Sequence, residues 1–402
     1  MMSTTTHAPR TADTMRTLRA ELVERAAALR PLISGNAEET DRARMVPAEN
    51  IDALARAELL SLMRPVRHGG LQTDFRTLLE VSREVGRACG STAWLTSLLN
   101  ANAWFVGLFP ARAQDDVWAD TPAARVAGVV TPMGTAEVVE GGYRVSGRWS
   151  PASGCAHADW AILGVRRPDA EGTADGVGIV LVPMPELTVE DTWFVTGMRG
   201  TASNTLVGED VFVPAHRFHS VPDAVEGRYA TPFTDEALYR APFVPVTALV
   251  LTGPQLGLAT AAVDILLDRA PQRGLTLTSY SIQAEAPTIQ LAAAHAASLA
   301  DSAHLHAFRA AADIDEAEGF PAYDARARMR MDTGRVAVLA REAVGIVCSA
   351  QGASSFGESN PLQRVWRDVE AAGRHAVLNP DVAAEIYGKS LFGIRGTVSA
   401  LV

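Results

Sequence analysis

The 402-residue chain is short of several things, and each shortage closes off a class of protein. It has three cysteines, Cys89, Cys155 and Cys348, odd in number and far apart. That usage fits a reducing cytoplasm and not a disulfide framework. It has no surplus of basic charge: the formal net charge is -10. A nucleic-acid partner would need a basic face, so none is expected. No run approaches the ~18 consecutive apolar residues that span a bilayer, so no membrane partner is expected either. The opening stretch, MMSTTTHAPRTADTMRTLRA, has no apolar segment of the secretory kind. No repeat of 20–50 residues and no low-complexity tract is visible.

Two nucleotide motifs are also missing. GVGIVL at 176–181 lacks the third small residue of a dinucleotide fingerprint. GASSFGES at 352–359 has Glu358 where a P-loop needs Lys, and it follows a helix instead of a strand. Its backbone N–H groups and serine hydroxyls could still hold a phosphate. What is present in quantity is apolar residue, 48% of the chain. That is enough for a large core, divided over two or three domains.

The first third reads as helices. Leu18, Leu22, Ala26, Leu29 and Ile33 recur at steps of three and four. Pro47 suits a first helical position, followed by Ile51, Leu54 and Leu59. Phe75, Leu78, Leu79, Ser82, Val85 and Cys89 suggest another helix, and 91–109 is apolar nearly all round, hence buried. From about 126 to 214 the runs are short and β-branched. Gly141-Gly142 and Asp175-Gly176 stand between them as hairpin turns. This predicts a small antiparallel β domain. From about 242 long alanine-rich helical patterns return, and Gly352 suits a helix end. The expected class is α+β in three parts: a helical domain (1–125), a central antiparallel β domain (126–225) and a C-terminal four-helix bundle (226–402).

The stretch SGRWSPASGCAHADW (146–160) raises three readings: a metal site, a nucleophile with its base, or a turn presenting its backbone to a flat cofactor. Cys155, His157 and Asp159 alternate, so on a strand they share a face. A metal would want a fourth ligand at a known spacing, and none is near, so no metal is expected. A nucleophilic Cys155 would need a base and an orienting group, and a small buried Cys explains it better. His295, His304 and His306 do not share a helical face and read as ordinary surface or core histidines. His375 lies among Arg364, Arg367, Asp368 and Arg374. It fits either a structural histidine in an ion-pair network or a functional one.

The helix–strand–helix order, SGRW…ASG, MRGT.SNT and QR.WRDV.AAG.H together resemble the acyl-CoA dehydrogenase superfamily over 48–393. More narrowly, they resemble the oxygenase components of two-component, reduced-flavin-dependent monooxygenases. Similar enzymes are 4-hydroxyphenylacetate 3-hydroxylase, dibenzothiophene monooxygenase and actinorhodin-type polyketide hydroxylases. The resemblance implies reduced FMN or FADH2 from a separate NAD(P)H:flavin reductase, and O2. It implies transfer of one oxygen atom from a flavin C4a-hydroperoxide to an aromatic or polyketide-like substrate, in a homotetramer. It places Ser153 near flavin N5, with Trp149 and Ser150 walling the ring. Thr131, Pro132, Met133 and Gly134 would sit on the pyrimidine side. Arg273, Ala353 and Ser354 would hold the ribityl phosphate, reaching it from another subunit. His375 would act beside flavin C4a, one residue before Ala376, which stands where dehydrogenases keep their Glu base. Asn102, Trp104, Arg199, Thr201 and Phe243 are the expected substrate lining, although core packing explains Trp104 better. Three departures stand out: Asn102 where phenol hydroxylases often carry His, Ala202 for a usual Gly, and Pro151 for a common aromatic. The rival reading is an acyl-CoA dehydrogenase acting on an acyl thioester.

Overall fold

The computed structural model describes residues 11–168 and 175–402. The chain begins with α1 (Ala12–Ala28), α2 (Arg30–Gly35), α3 (Ala37–Ala43) and α4 (Ala48–Arg56). The stripe from Leu18 to Ile33 is thus two helices, divided at Leu29 because Pro31 starts a new one. Pro47 caps α4 from outside, and Leu59 is buried beyond its end. Next come α5 (Phe75–Gly86), α6 (Gly90–Gly107) and α7 (Ala111–Trp118). Helix α6 is buried along nearly its whole length. Its polar residues are satisfied internally: Asn100 accepts the Leu62 N–H at 2.8 Å and donates to Leu59 and Thr96 carbonyls, both at 2.8 Å. A buried amide with its bonds made carries no desolvation penalty of the unpaired kind.

The sheet follows: β1 (Val126–Val139), β2 (Gly142–Ala152), β3 (Trp160–Pro168), β4 (Asp175–Pro183), β5 (Thr188–Glu190), β6 (Asn204–Pro214) and β7 (Phe218–Ser220). Their order is β5-β6-β2-β1-β3-β4-β7. The expectation of an antiparallel domain is corrected, because β1 and β3 pair in parallel. The chain leaves β2 through a 3-10 turn (Cys155–His157) and re-enters on the far side of β1, running the same way. Alternating hydrophobicity specifies a buried face but not the direction of a neighbour. Gly141 makes the β1–β2 turn at φ 80°. Asp175 and Gly176, expected as a turn, instead pair with Pro168 and Arg167 inside β4; residues 169–174 between the strands lie outside the described residues.

Among the described residues the register shifts gather on β1 and β2, one of them between Val145 and Gly147. The β1–β2 ladder stops at the pair Gly134–Gly147. On one side, the β1–β3 register shifts between Val129 and Gly134. On the other, the β2–β6 register shifts between Trp149 and Ala152. Bulges of this kind bend strands and re-aim side chains. Here they part β1 and β2 at one end of the sheet.

The C-terminal part contains α8 (Val221–Val225), α9 (Phe243–Leu249), α10 (Thr252–Arg269), α11 (Pro287–Asp315), α12 (Tyr323–Gln351), α13 (Pro361–Ala372) and α14 (Pro380–Leu391). Helices α10 to α13 pack on one another, and α14 lies against α12. Helix α10 also crosses α5 closely: a Cβ on Gly257 would stand 2.3 Å from the Arg83 carbonyl. The stretch Phe243–Gln272 is apolar enough on average to pass for a membrane span, but it is mostly buried inside the protein.

Candidate active site

Strand β2 ends in the bulge, and Ser153 follows it. The Ser153 side chain is almost fully buried and makes two hydrogen bonds. Its Oγ accepts the Trp94 indole N–H at 3.3 Å, and it lies 2.7 Å from Ser203 Oγ. Ser203 in turn lies 2.6 Å from Thr201 Oγ1, which donates to the Met198 carbonyl at 2.9 Å. The Gly154 N–H donates to the Thr201 carbonyl at 3.1 Å, tying the end of β2 to the turn before β6. At the base of this turn, the Met198 N–H donates to Asp368 of α13 at 2.6 Å. The Asp368 carboxyl is buried, and desolvation raises its pKa to about 6.

His375 follows α13. Its ring lies 6.0 Å, centroid to centroid, from the Trp94 indole. One aromatic side chain from α6 therefore touches both Ser153 and His375. Trp94 escaped the sequence reading because an indole in an all-apolar helix passes for core. The available signal was its N–H, which must find a partner when buried. The His375 side chain is accessible at its surface yet recessed among protein groups. Desolvation lowers its pKa below 6.5, so the ring is neutral at pH 7. Its Nδ1 accepts the Val377 N–H at 3.4 Å, which leaves the ring hydrogen on Nε2.

Thr131, Pro132 and Met133 occupy β1 where the sheet opens, with Thr131 and Met133 exposed and Ser150 half-buried beside them on β2. Gly134 packs on Trp149: a Cβ there would stand 2.2 Å from the indole. The expectation for the Trp149 side chain is corrected. It is 0% exposed, in the sheet core, and its Nε1–H donates to the Gly164 carbonyl at 2.7 Å. Its indole therefore has no gap to wall. Arg273 is brought beside the turn that holds Ala353 and Ser354. It donates to Gln351, and Ser354 Oγ donates to the Gln351 carbonyl at 3.0 Å. Ala353 and Ser354 are exposed.

The expected substrate lining does not gather around Ser153. Asn102 donates to the Val126 carbonyl at 2.9 Å and pins α6 to β1. Trp104 is 0% exposed and donates to the Leu238 carbonyl at 2.8 Å. Phe243 stacks with Trp104 and Phe105 in the same core. All three are committed to hydrogen bonds or ring contacts inside the protein. Arg199 donates to the carbonyls of Asp41 and Val195. Thr201 does stand in the site, but in the hydroxyl chain and not on a cavity wall.

Cys155, His157 and Asp159 take separate partners. Cys155 contacts the Ala202 carbonyl, His157 the Val46 carbonyl at 3.0 Å, and Asp159 the Arg125 N–H at 2.8 Å. Burial raises the Cys155 pKa, which suppresses the thiolate a nucleophile needs. His304 bonds the Ala300 carbonyl and His306 bonds Asp332.

The side chains at the sheet opening suit one edge of a flavin ring. A neutral imidazole donor and a hydroxyl with a spare lone pair stand on either side of one indole, that of Trp94.

Comparison with known proteins agrees. Residues 16–120 match the acyl-CoA dehydrogenase N-terminal domain and residues 249–380 the acyl-CoA dehydrogenase C-terminal domain. The chain is 35% identical to the FADH(2)-dependent resorcinol hydroxylase oxygenase component of Rhizobium sp. (strain MTP-10005), over 98% of this chain and 99% of that protein. It is 33% identical to the flavin-dependent monooxygenase oxygenase subunit HsaA of Mycobacterium tuberculosis, over 91% of this chain and 94% of that protein. Among solved structures, XiaF from Streptomyces sp., in complex with FADH2 and glycerol, superposes with a TM-score of 0.91 at 38% identity, covering 96% of this chain and 98% of XiaF. Whole-length similarity of this kind, joined to a Ser–Trp–His cluster at a parted sheet, shows that the chain belongs to the acyl-CoA dehydrogenase superfamily, in its branch of flavin-dependent monooxygenase oxygenase components.

Proposed function

We propose that this chain is the oxygenase component of a two-component monooxygenase acting on an aromatic substrate. It takes a reduced flavin, FMNH2 or FADH2, from a separate NAD(P)H:flavin reductase. When bound, the flavin supplies two electrons to dioxygen, so that one oxygen atom enters the substrate and the other leaves as water. Ser153 and Trp94 hold the ring edge, and His375 donates its Nε2 hydrogen to an oxygen atom at the reacting side. Thr131 to Gly134 and Ser150 line the ring through the opened strands. Arg273, Ala353 and Ser354 hold the phosphate. The finer reading is a polyketide-like phenol, natural-product tailoring, and a cytoplasmic homotetramer.

The observation that carries this reading is the accessible, neutral His375 next to Trp94 and Ser153, with Ala376 where a dehydrogenase would need a carboxylate. A methyl group cannot abstract the α-proton of an acyl thioester, so the dehydrogenase alternative is disfavoured. The test supplies chemically reduced FMN or FAD without any reductase, then oxygen and a panel of phenols and hydroxylated polyketides. A hydroxylated product is expected. Turnover of an acyl thioester with an artificial electron acceptor, and no hydroxylation, would overturn the proposal.

A further inference from the structure

The hydroxyl chain behind Ser153 has a direction. A serine or threonine hydroxyl owns one proton and two lone pairs, so it can donate once. Thr201 Oγ1 stands 2.9 Å from the Met198 carbonyl, which can only accept. The Thr201 proton is therefore spent there. In the 2.6 Å contact between Thr201 and Ser203, Ser203 must donate. That spends the Ser203 proton, so in the 2.7 Å contact between Ser203 and Ser153, Ser153 must donate. Trp94 can only donate, and it points its N–H at Ser153 at 3.3 Å, which fits an oxygen already turned to accept. Ser153 is left with one unused lone pair and no unused proton. The anchor is rigid: the Met198 N–H is held by Asp368 at 2.6 Å, and its carbonyl also accepts the Trp193 indole N–H at 3.0 Å.

We infer that Thr201 and Ser203 are positioning residues that fix Ser153 as a hydrogen-bond acceptor toward the cofactor, so that the site selects the reduced flavin over the oxidised one. The inference rests on the placement of Ser153 at the ring edge proposed above. In reduced flavin N5 carries a hydrogen and needs an acceptor. In oxidised flavin N5 is a bare lone pair and needs a donor. A serine whose proton is already committed matches the first and repels the second. The same lone pair that welcomes the incoming reduced cofactor turns against the spent, oxidised one.

The test is an anaerobic titration of the full chain with reduced and with oxidised FMN or FAD, reading the ratio of the two dissociation constants. Wild type is expected to favour the reduced form. Ser203→Ala and Thr201→Val each release the Ser153 proton to face N5. Each should shrink the ratio by roughly 5- to 10-fold, the value of one hydrogen bond exchanged for a lone-pair clash. Ser203→Thr keeps a hydroxyl and should restore the ratio, which a merely structural role would not do. A ratio unmoved by Ser203→Ala and Thr201→Val, but moved by Ser153→Ala, overturns the directional chain while leaving Ser153 at the ring edge. A ratio unmoved by Ser153→Ala as well removes Ser153 from the ring. Wild type that binds neither flavin overturns the proposed function itself.

Discussion

In the proposed role His375 works through one nitrogen. With Nδ1 accepting the Val377 N–H, the neutral ring has only its Nε2–H to donate. His375→Ala should cut hydroxylation by roughly 100-fold, the usual scale for a positioned proton donor, and divert oxygen to hydrogen peroxide. His375→Gln, which keeps an N–H, should recover part of the loss; quantifying product against peroxide checks both. The lowered pKa gives the sign of the pH effect. Coupling should be flat above pH 6.5 and fall only on acidification below it, as a second proton on Nδ1 removes the acceptor that holds the Val377 N–H and unseats the ring. Ala202 offers a stability test. It sits at φ 44°, ψ 47°, in the left-handed region where a Cβ is penalised, next to the hydroxyl chain. Ala202→Gly should raise stability by roughly 0.5–1 kcal/mol after the entropic cost of glycine, read from urea unfolding. Residue identities near the site were legible by resemblance, but side-chain facing was not. The facing of Trp149 could have been read from the two-residue alternation it shares with Tyr143 and Val145, all three buried, but the resemblance drew attention to the turn instead. Trp94, on α6 and 59 residues before Ser153, gave no local sign that it reaches that serine.

Helix α5 shows what an element end can cost. Its first N–H groups, on Phe75 and Arg76, donate to Asp315 at the far end of α11, each at 2.9 Å. Asp74 caps the same end through the Thr77 N–H at 2.8 Å and pairs with Arg19. Two carboxyls thus crowd one helix terminus with one guanidinium. Burial and the Asp74 charge raise the Asp315 pKa to about 7. An unfolded Asp titrates near 3.8. Between those values the folded state binds more protons, so this group's contribution to stability falls as pH rises from about 4 to 7. Urea midpoints at pH 5 and pH 8 should therefore differ, and Asp315→Asn should flatten the difference. The helices themselves were plain in the sequence, because α6 is apolar all round and α5 carries a clean stripe. Strand direction was not plain, since β1 and β3 are joined through the intervening β2 and nothing in β3 records which way its neighbour runs.

At the scale of the assembled protein, the long helices α11 and α12 leave a groove of about 880 Å3, lined in part by Leu275, Ile289, Leu291 and Ile346. Leu291 is 59% exposed. We propose this face as the contact between copies of the chain. Leu275 lies two residues from Arg273, and Ala350, also on the groove, adjoins the Gln351 that receives Arg273. Assembly and phosphate binding should therefore be coupled. Light scattering is expected to give a tetramer. Leu291→Glu should shift it to smaller species and weaken reduced-flavin binding in parallel; a tetramer that persists with unchanged affinity would remove this face from the interface.

One short helix ties the three parts together. On α13, Arg367 pairs with Asp41 of α3 at 2.9 Å and donates to the Thr196 carbonyl, while its neighbour Asp368 holds the Met198 N–H. Asp41, Met198 and Asp368 belong to the early, middle and late thirds of the polypeptide. During synthesis, then, the helices and the sheet can form in turn, but the turn that holds Thr201 and Ser203 stays unbraced until Asp368 has been made. A product cut short before α13 would lack the one helix that clasps its early and middle thirds.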